Sequence, residues 1–188
     1  MLNNIAAIMG GGTAAIGDYE SIQTVTLSSS QATVSFTSIP STYSHLQVRA
    51  FPRDLRAATY VDSMFVYCNA DTTGANYYTH YISGNGTAAS AASDVGQNSY
   101  GIAIGLTTAT SSTSAYAANI IDILDYSNTS KNKTFRSLHG LEDNTNGLIR
   151  LRSSLWMSTA AISSLTFNTS SGGNNFAQYS SFALYGIK

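Results

Sequence analysis

The sequence predicts an all-β chain built as an antiparallel β-sandwich, and three observations predict it. Apolar and polar residues alternate with a period of two over many short stretches, as on strands with one buried face. Clusters of Gly, Asn, Asp and Ser recur about every dozen residues, a spacing that suits a sandwich or barrel rather than βαβ units. No stretch beyond the first 18 residues holds a helical period. With 188 residues the chain is long enough for one domain with a sizeable core. The expected organisation is an N-terminal docking arm over 1–18 and a single sandwich over 19–188.

In the arm, Leu2, Ile5, Ile8 and Met9 have helical spacing, but the segment is too short to hold a helix alone, and Gly10, Gly11 and Gly12 end it. These four apolar residues are the candidate contacts to a partner. Glu20 to Leu27 places Gln23, Val25 and Leu27 on one face. Ala32, Val34 and Phe36 then alternate with Thr33, Ser35 and Thr37. Pro40 ends that strand, because it donates no ladder hydrogen bond and keeps Ile39 extended. Leu46, Val48 and Ala50 resume on one face, with His45, Gln47, Arg49 and Phe51 on the other. Residues 60–68 are apolar on both faces, as for a central strand. Residues 76–82 form the next strand, and Thr87 to Gly96 is expected to be a small-residue loop. Tyr100, Ile102, Ile104 and Leu106 alternate with Gly and Ala, which let another backbone approach. Tyr116 to Tyr126 is expected to be buried on both sides, and Lys131 to His139 follows. Asn146-Gly147 is a hairpin dipeptide. After it, Ile149, Leu151, Leu155 and Met157 share one face, and Arg150, Arg152 and Trp156 the other. Ile162 to Phe167 and Phe176 to Ile187 complete roughly eleven strands.

Composition narrows the function classes. Charged residues are 10% of the chain against a usual quarter, and the net charge is −1. No basic excess exists to attract nucleic acid or an anionic membrane. No apolar run approaches the roughly 20 residues of a membrane span. The first dozen residues lack the cationic start and long apolar core of a signal peptide. A surface so poor in charge suits permanent contact with other subunits or a glycan. Cys68 is alone, so no internal disulfide forms, and it is expected as a buried small hydrophobe.

Motifs for chemistry are missing. His45, His80 and His139 have no metal-ligand spacing among themselves or with other ligands. There is no G-x-S-x-G elbow. Asp122 and Asp125 are three apart and face opposite sides of a strand, and Glu142 with Asp143 belongs to a turn. Glu142, Asn144 and Asn146-Gly147 are spaced like part of a calcium loop, but Ser153 stands where its bidentate Glu belongs, which excludes an EF-hand. The sequons at Asn85, Asn128, Asn132 and Asn168 matter only in a secreted eukaryotic setting. No enzyme, metal or cofactor is therefore expected. Tyr77, Tyr78 and Tyr81 stand close together in sequence as candidate receptor or interface aromatics.

Several short strings carry a family resemblance. Tyr19-Glu20-Ser21-Ile22, Phe36-Thr37-Ser38-Ile39-Pro40 and Tyr43 to Arg49 resemble small virion proteins of tailed bacteriophages. So do Ile123 to Thr129 with Lys133-Thr134, Arg136-Ser137-Leu138, and the closing Asn175 to Ser180 with Phe182 to Gly186. The resemblance spans about residues 19–188 and implies a jelly-roll-like sandwich. It implies a head decoration or cement protein, often a homotrimer, on the major capsid protein and other virion proteins. The alternative it implies is a tail-fibre or tail-tip part that binds a host glycan. Either place is in the virion, on the capsid surface or the tail. The resemblance brings no catalytic residues.

Overall fold

The structure is a computed structural model, and it describes residues 17–57, 59–95, 102–108, 110, 114–169 and 174–188; for 94–95 and 102–106 it describes the backbone alone. Leu2, Ile5, Ile8 and Met9 lie outside the described residues. The described chain forms β1 (Tyr19–Thr26), β2 (Thr33–Phe36), β3 (His45–Phe51), β4 (Val61–Cys68), β5 (Tyr77–Gly84) and β6 (Ala89–Val95). It continues as β7 (Ile102–Thr107), β8 (Ala118–Leu124), β9 (Lys133–Glu142), β10 (Gly147–Trp156), β11 (Leu165–Thr169) and β12 (Ser181–Ile187). One 3-10 turn, Gly74–Asn76, precedes β5.

The strands make two sheets, ordered β1-β12-β3-β8-β9-β10-β5-β6 and β2-β11-β4-β7. Four antiparallel pairs explain the order: β1 with β12, β2 with β11, β3 with β8 and β4 with β7. This is a long double strand rolled into two four-stranded halves, the topology of a jelly roll. The remaining strands are two hairpins. β5–β6 is inserted between β4 and β7, and β9–β10 between β8 and β11. Both join the same sheet beyond β8 and double its width.

Between the sheets the alternating faces of β2, β3, β8, β11 and β12 meet. Phe167 lies edge-on to Phe36, with ring centroids 5.9 Å apart, and 5.3 Å from Phe182, which also meets Phe176 at 5.2 Å. All four rings are fully buried. The Pro40 loop is clamped from below. The buried Tyr126 hydroxyl donates to the Pro40 carbonyl and accepts the Tyr43 N–H at 3.4 Å. Tyr43 then lies over Gly186, where a Cβ would come within 2.4 Å of its ring, and its hydroxyl donates to Glu20 at 2.7 Å. Gly186→Ala is expected to displace that ring and lower stability by about 1–2 kcal/mol, read from the urea midpoint; an unchanged midpoint would show that the ring is not held there.

The structure departs from three expectations. The expected loop 87–96 contains β6, whose Ala and Ser residues show no hydrophobic alternation and which forms only by pairing along β5. The run 116–126 is not buried on both sides, since Ile121 and Ile123 point inward while Ile120 and Leu124 face solvent. In β10 it is the face of Arg152, Ser154 and Trp156 that is buried, while Ile149 and Leu151 are exposed. A strand's register puts a whole alternate set on one side or the other. Trp156 sets it here by donating its indole N–H to Asp71 at 2.8 Å.

Candidate interaction face

The widened sheet has an inner side against the second sheet and an outer side open to solvent. On the outer side, the ladder aligns side chains into rows across β8, β9, β10, β5 and β6. One row is Ile120, Leu138, Leu151, Ile82 and Ala91. The adjacent row is Ala118, Gly140, Ile149, Gly84 and Ala89. A third row, on the far side of the first, is polar: Asp122, Arg136, Ser153, His80 and Ser93. Ile82 is 60% exposed and Ile149 56%, and Leu138, Leu151 and Ile120 exceed 40%. Scattered exposed apolar residues are ordinary, but a contiguous patch marks a contact surface. The first row is bulky and the second mostly small, so a shallow hollow lies over Gly84 and Ala89, walled by Ile82, Leu138, Ile149 and Leu151.

The β1-β12-β3 end of the same outer side differs in kind. Tyr19 and Tyr185 stack at 4.8 Å, and the Arg49 guanidinium sits 5.4 and 5.5 Å from their centroids. Tyr19 donates to Gln47 at 2.7 Å, Gln47 to Asp122 at 2.8 Å, and Arg136 to Asp122 at 2.9 Å. These groups satisfy one another across the strands. Burial is the first influence on the Tyr19 hydroxyl and raises its pKa, with Arg49 opposing.

The inner side of the added hairpins mixes buried apolar residues, among them Phe135, Leu141, Leu148 and Trp156, with buried polar ones. Arg150 and Arg152 lie 4.9 and 4.5 Å from the Tyr81 ring centroid. His139 stands opposite Arg150 on β10 and opposite Asn119 on β8. It is buried, and neither ring nitrogen has a hydrogen-bond partner among the described residues. Burial, with Arg152 and Arg150 beside it, lowers its pKa from 6.5 to about 3.

The tyrosines separate because side chains alternate along a strand. Tyr77 is buried; its hydroxyl donates to the Asp71 carbonyl at 2.8 Å and accepts the Cys68 N–H at 3.1 Å, and burial raises its pKa. Tyr81 points inward with it under the arginines, and Tyr78 faces the opposite side. The three do not share one surface. Sequence spacing missed the rows instead, because their members lie on five strands joined by long connections.

The other candidates are used by the framework. Cys68 is fully buried and its thiol pKa is pushed up by that burial. His45 Nδ1 accepts the Asp125 N–H at 3.1 Å, and Asp125 pairs with Lys131 at 2.7 Å. The acid-rich turn closes on itself, with Glu142 accepting from Asn144 and Asp143 from Thr145 and Asn146. Among the described residues no three His, Cys, Asp or Glu side chains gather as metal ligands, and no helix is long and apolar enough to cross a membrane.

Asp71 matters for the frame. Burial tends to raise its pKa, but the N–H donors of Trp156 and Asn76, at 2.8 Å each, and of Thr73 hold it at about 2. The stability this contributes is present above pH 3.8 and lost as pH falls towards 2. Asp71→Ala is expected to lower stability by about 2 kcal/mol at pH 7, and the deficit should shrink below pH 4. A deficit equal at pH 7 and pH 2.5 would remove the ionic origin.

Comparison of the chain with protein-family models, curated proteins and solved structures yields no match.

Proposed function

We propose that the chain is an assembly protein of a phage virion, a decoration or cement protein that binds the assembled head shell and stabilises it. The observation that carries the assembly reading is the five-strand outer face, on which bulky apolar side chains stand in solvent in register. A low-charge surface with such a face is suited to lasting protein contact. The short strings described above supply the virion setting. A ligand that binds the intact lattice and not its separated subunits stabilises the lattice by mass action. The segment ahead of β1, with Leu2, Ile5, Ile8 and Met9, is the proposed contact to the major capsid protein.

The test is the copy number of this chain in purified particles, by quantitative mass spectrometry against the major capsid protein. A ratio near one per capsid subunit, or three per local threefold, supports cement. A few copies per particle would place the chain in the tail and make glycan binding the leading idea. Removal of residues 1–16 is expected to abolish shell binding and leave the β-sheet circular dichroism unchanged. Undiminished binding would end that role for the segment.

A further inference from the structure

We infer that the outer face of β8-β9-β10-β5-β6 is covered by a second copy of this chain, in a two-fold pair. The inference names the partner within the assembly reading, and its test needs no virion. The argument is self-complementarity. A two-fold axis lying between the facing sheets, perpendicular to the strands and midway between the bulky and small rows, exchanges those rows. Ile120, Leu138, Leu151 and Ile82 of one copy then meet Ala118, Gly140, Ile149 and Gly84 of the other. Ile82 enters the hollow over Gly84, Leu138 and Ile120 stand over Gly140 and Ala118, and Leu151 packs on Ile149.

The charges obey the same operation. On β9 the outward residues run Arg136, Leu138, Gly140 and Glu142. An axis between Leu138 and Gly140 sets Arg136 of each copy over Glu142 of the other. An axis parallel to the strands through β10, the middle strand of the face, would instead set Arg136 over His80 and give Glu142 no basic partner. A threefold ring uses two different patches per contact, whereas this face matches itself, which is the property of a two-fold interface. Five strands about 4.8 Å apart with four outward positions each cover about 650 Å² per copy, so about 1,300 Å² in total. Stable pairs bury roughly 1,200–2,000 Å². Sheets packed face to face stand about 10 Å apart.

The test is light scattering after size exclusion on the full chain, from 1 to 100 µM. Twice the chain mass is expected. A monomer throughout, or the trimer that the family resemblance implies, overturns the inference. Leu151→Glu puts a charge in the bulky row at an exposed position, so circular dichroism should be unchanged while the dissociation constant rises at least 100-fold; an unaffected pair overturns the inference. The geometry itself is read from a row swap. Gly140→Leu and Leu138→Gly are each expected to weaken the pair at least tenfold. The double variant, which exchanges bulky and small positions across the axis, is expected to recover most of the loss. A Cβ at Gly140 would come no nearer than 3.7 Å to any neighbour, so the fold admits the change. Additive losses in the double variant would sink the two-fold arrangement. A dimer that fails to bind shells would defeat the virion reading and leave the pair standing. A monomer that binds shells would do the reverse.

Discussion

Between pH 4.5 and 6.5 the unfolding free energy of the intact chain is expected to be nearly level, while two single variants tilt it in opposite directions. The cause is a pair of buried groups with opposed titrations. His139 has its pKa lowered by burial, with Arg152 and Arg150 adding to it, from 6.5 to about 3. The unfolded chain takes up that proton first, so stability is whole above pH 6.5 and lost as pH falls. Asp54 is wholly buried, and its Oδ1 accepts the Arg56 N–H at 3.1 Å. Burial raises its pKa from 3.8 to about 7, opposed by that N–H and reinforced by Asp62. Here the folded chain holds the extra proton, so stability is whole below pH 3.8 and lost as pH rises to 7. Each slope is about 1.4 kcal/mol per pH unit, and the two cancel where they overlap.

Removing one group exposes the other. His139→Leu should be about 2–3 kcal/mol less stable at pH 6.5 than at pH 4.5. Asp54→Asn should show the reverse tilt, and the double variant should be level again. Urea midpoints at four pH values are enough to decide this. Parallel profiles for the intact chain and His139→Leu would mean that His139 protonates freely in the folded state.

Lys133→Met is expected to lower stability by about 3 kcal/mol, the largest loss from any single polar side chain considered above. Lys133 is fully buried at the start of β9. Its Nζ donates to the carbonyls of Asn128, Lys131 (2.8 Å) and Thr159 (3.1 Å). Three protons thus meet three carbonyls, and the contact ties the β8–β9 turn to the β10–β11 connection. Burial lowers the amine pKa, with Cys68 and Asp125 opposing. Methionine keeps the apolar stem and leaves the carbonyls without a donor. The measurement is the urea midpoint at pH 7, with Lys133→Arg as a second variant that fits the site poorly because its planar fork cannot reproduce three diverging bonds. A loss below about 0.5 kcal/mol in the methionine variant would mean that water replaces the ammonium at no cost.

The alternating stretches in the first half of the chain were legible as they stand. Val34 and Phe36, then Leu46, Val48 and Ala50, are buried as their spacing implies. The strand ahead of Pro40 ends earlier than the proline, at Phe36, and the β9–β10 turn is Asp143 to Asn146, with Gly147 already paired to Glu142 as the first residue of β10. In the inserted hairpins local pattern and burial part company. Ile149, Leu151 and Ile82 look like core residues in any window of the sequence, and they stand in solvent. Lys133, His139 and Arg152 look like surface residues, and they are buried.

The β class, most of the turns and the alternation of every strand but β6 are legible in the residue order alone, because those depend on neighbours two to four residues apart. The tertiary structure decided which alternate face is inside, since that choice belongs to anchors such as Trp156 on Asp71, 85 residues away. It also decided that β5–β6 and β9–β10 join one sheet. Only that pairing lines up Ile120, Leu138, Leu151 and Ile82 as one surface, because ladder hydrogen bonds between distant segments carry no mark in local sequence.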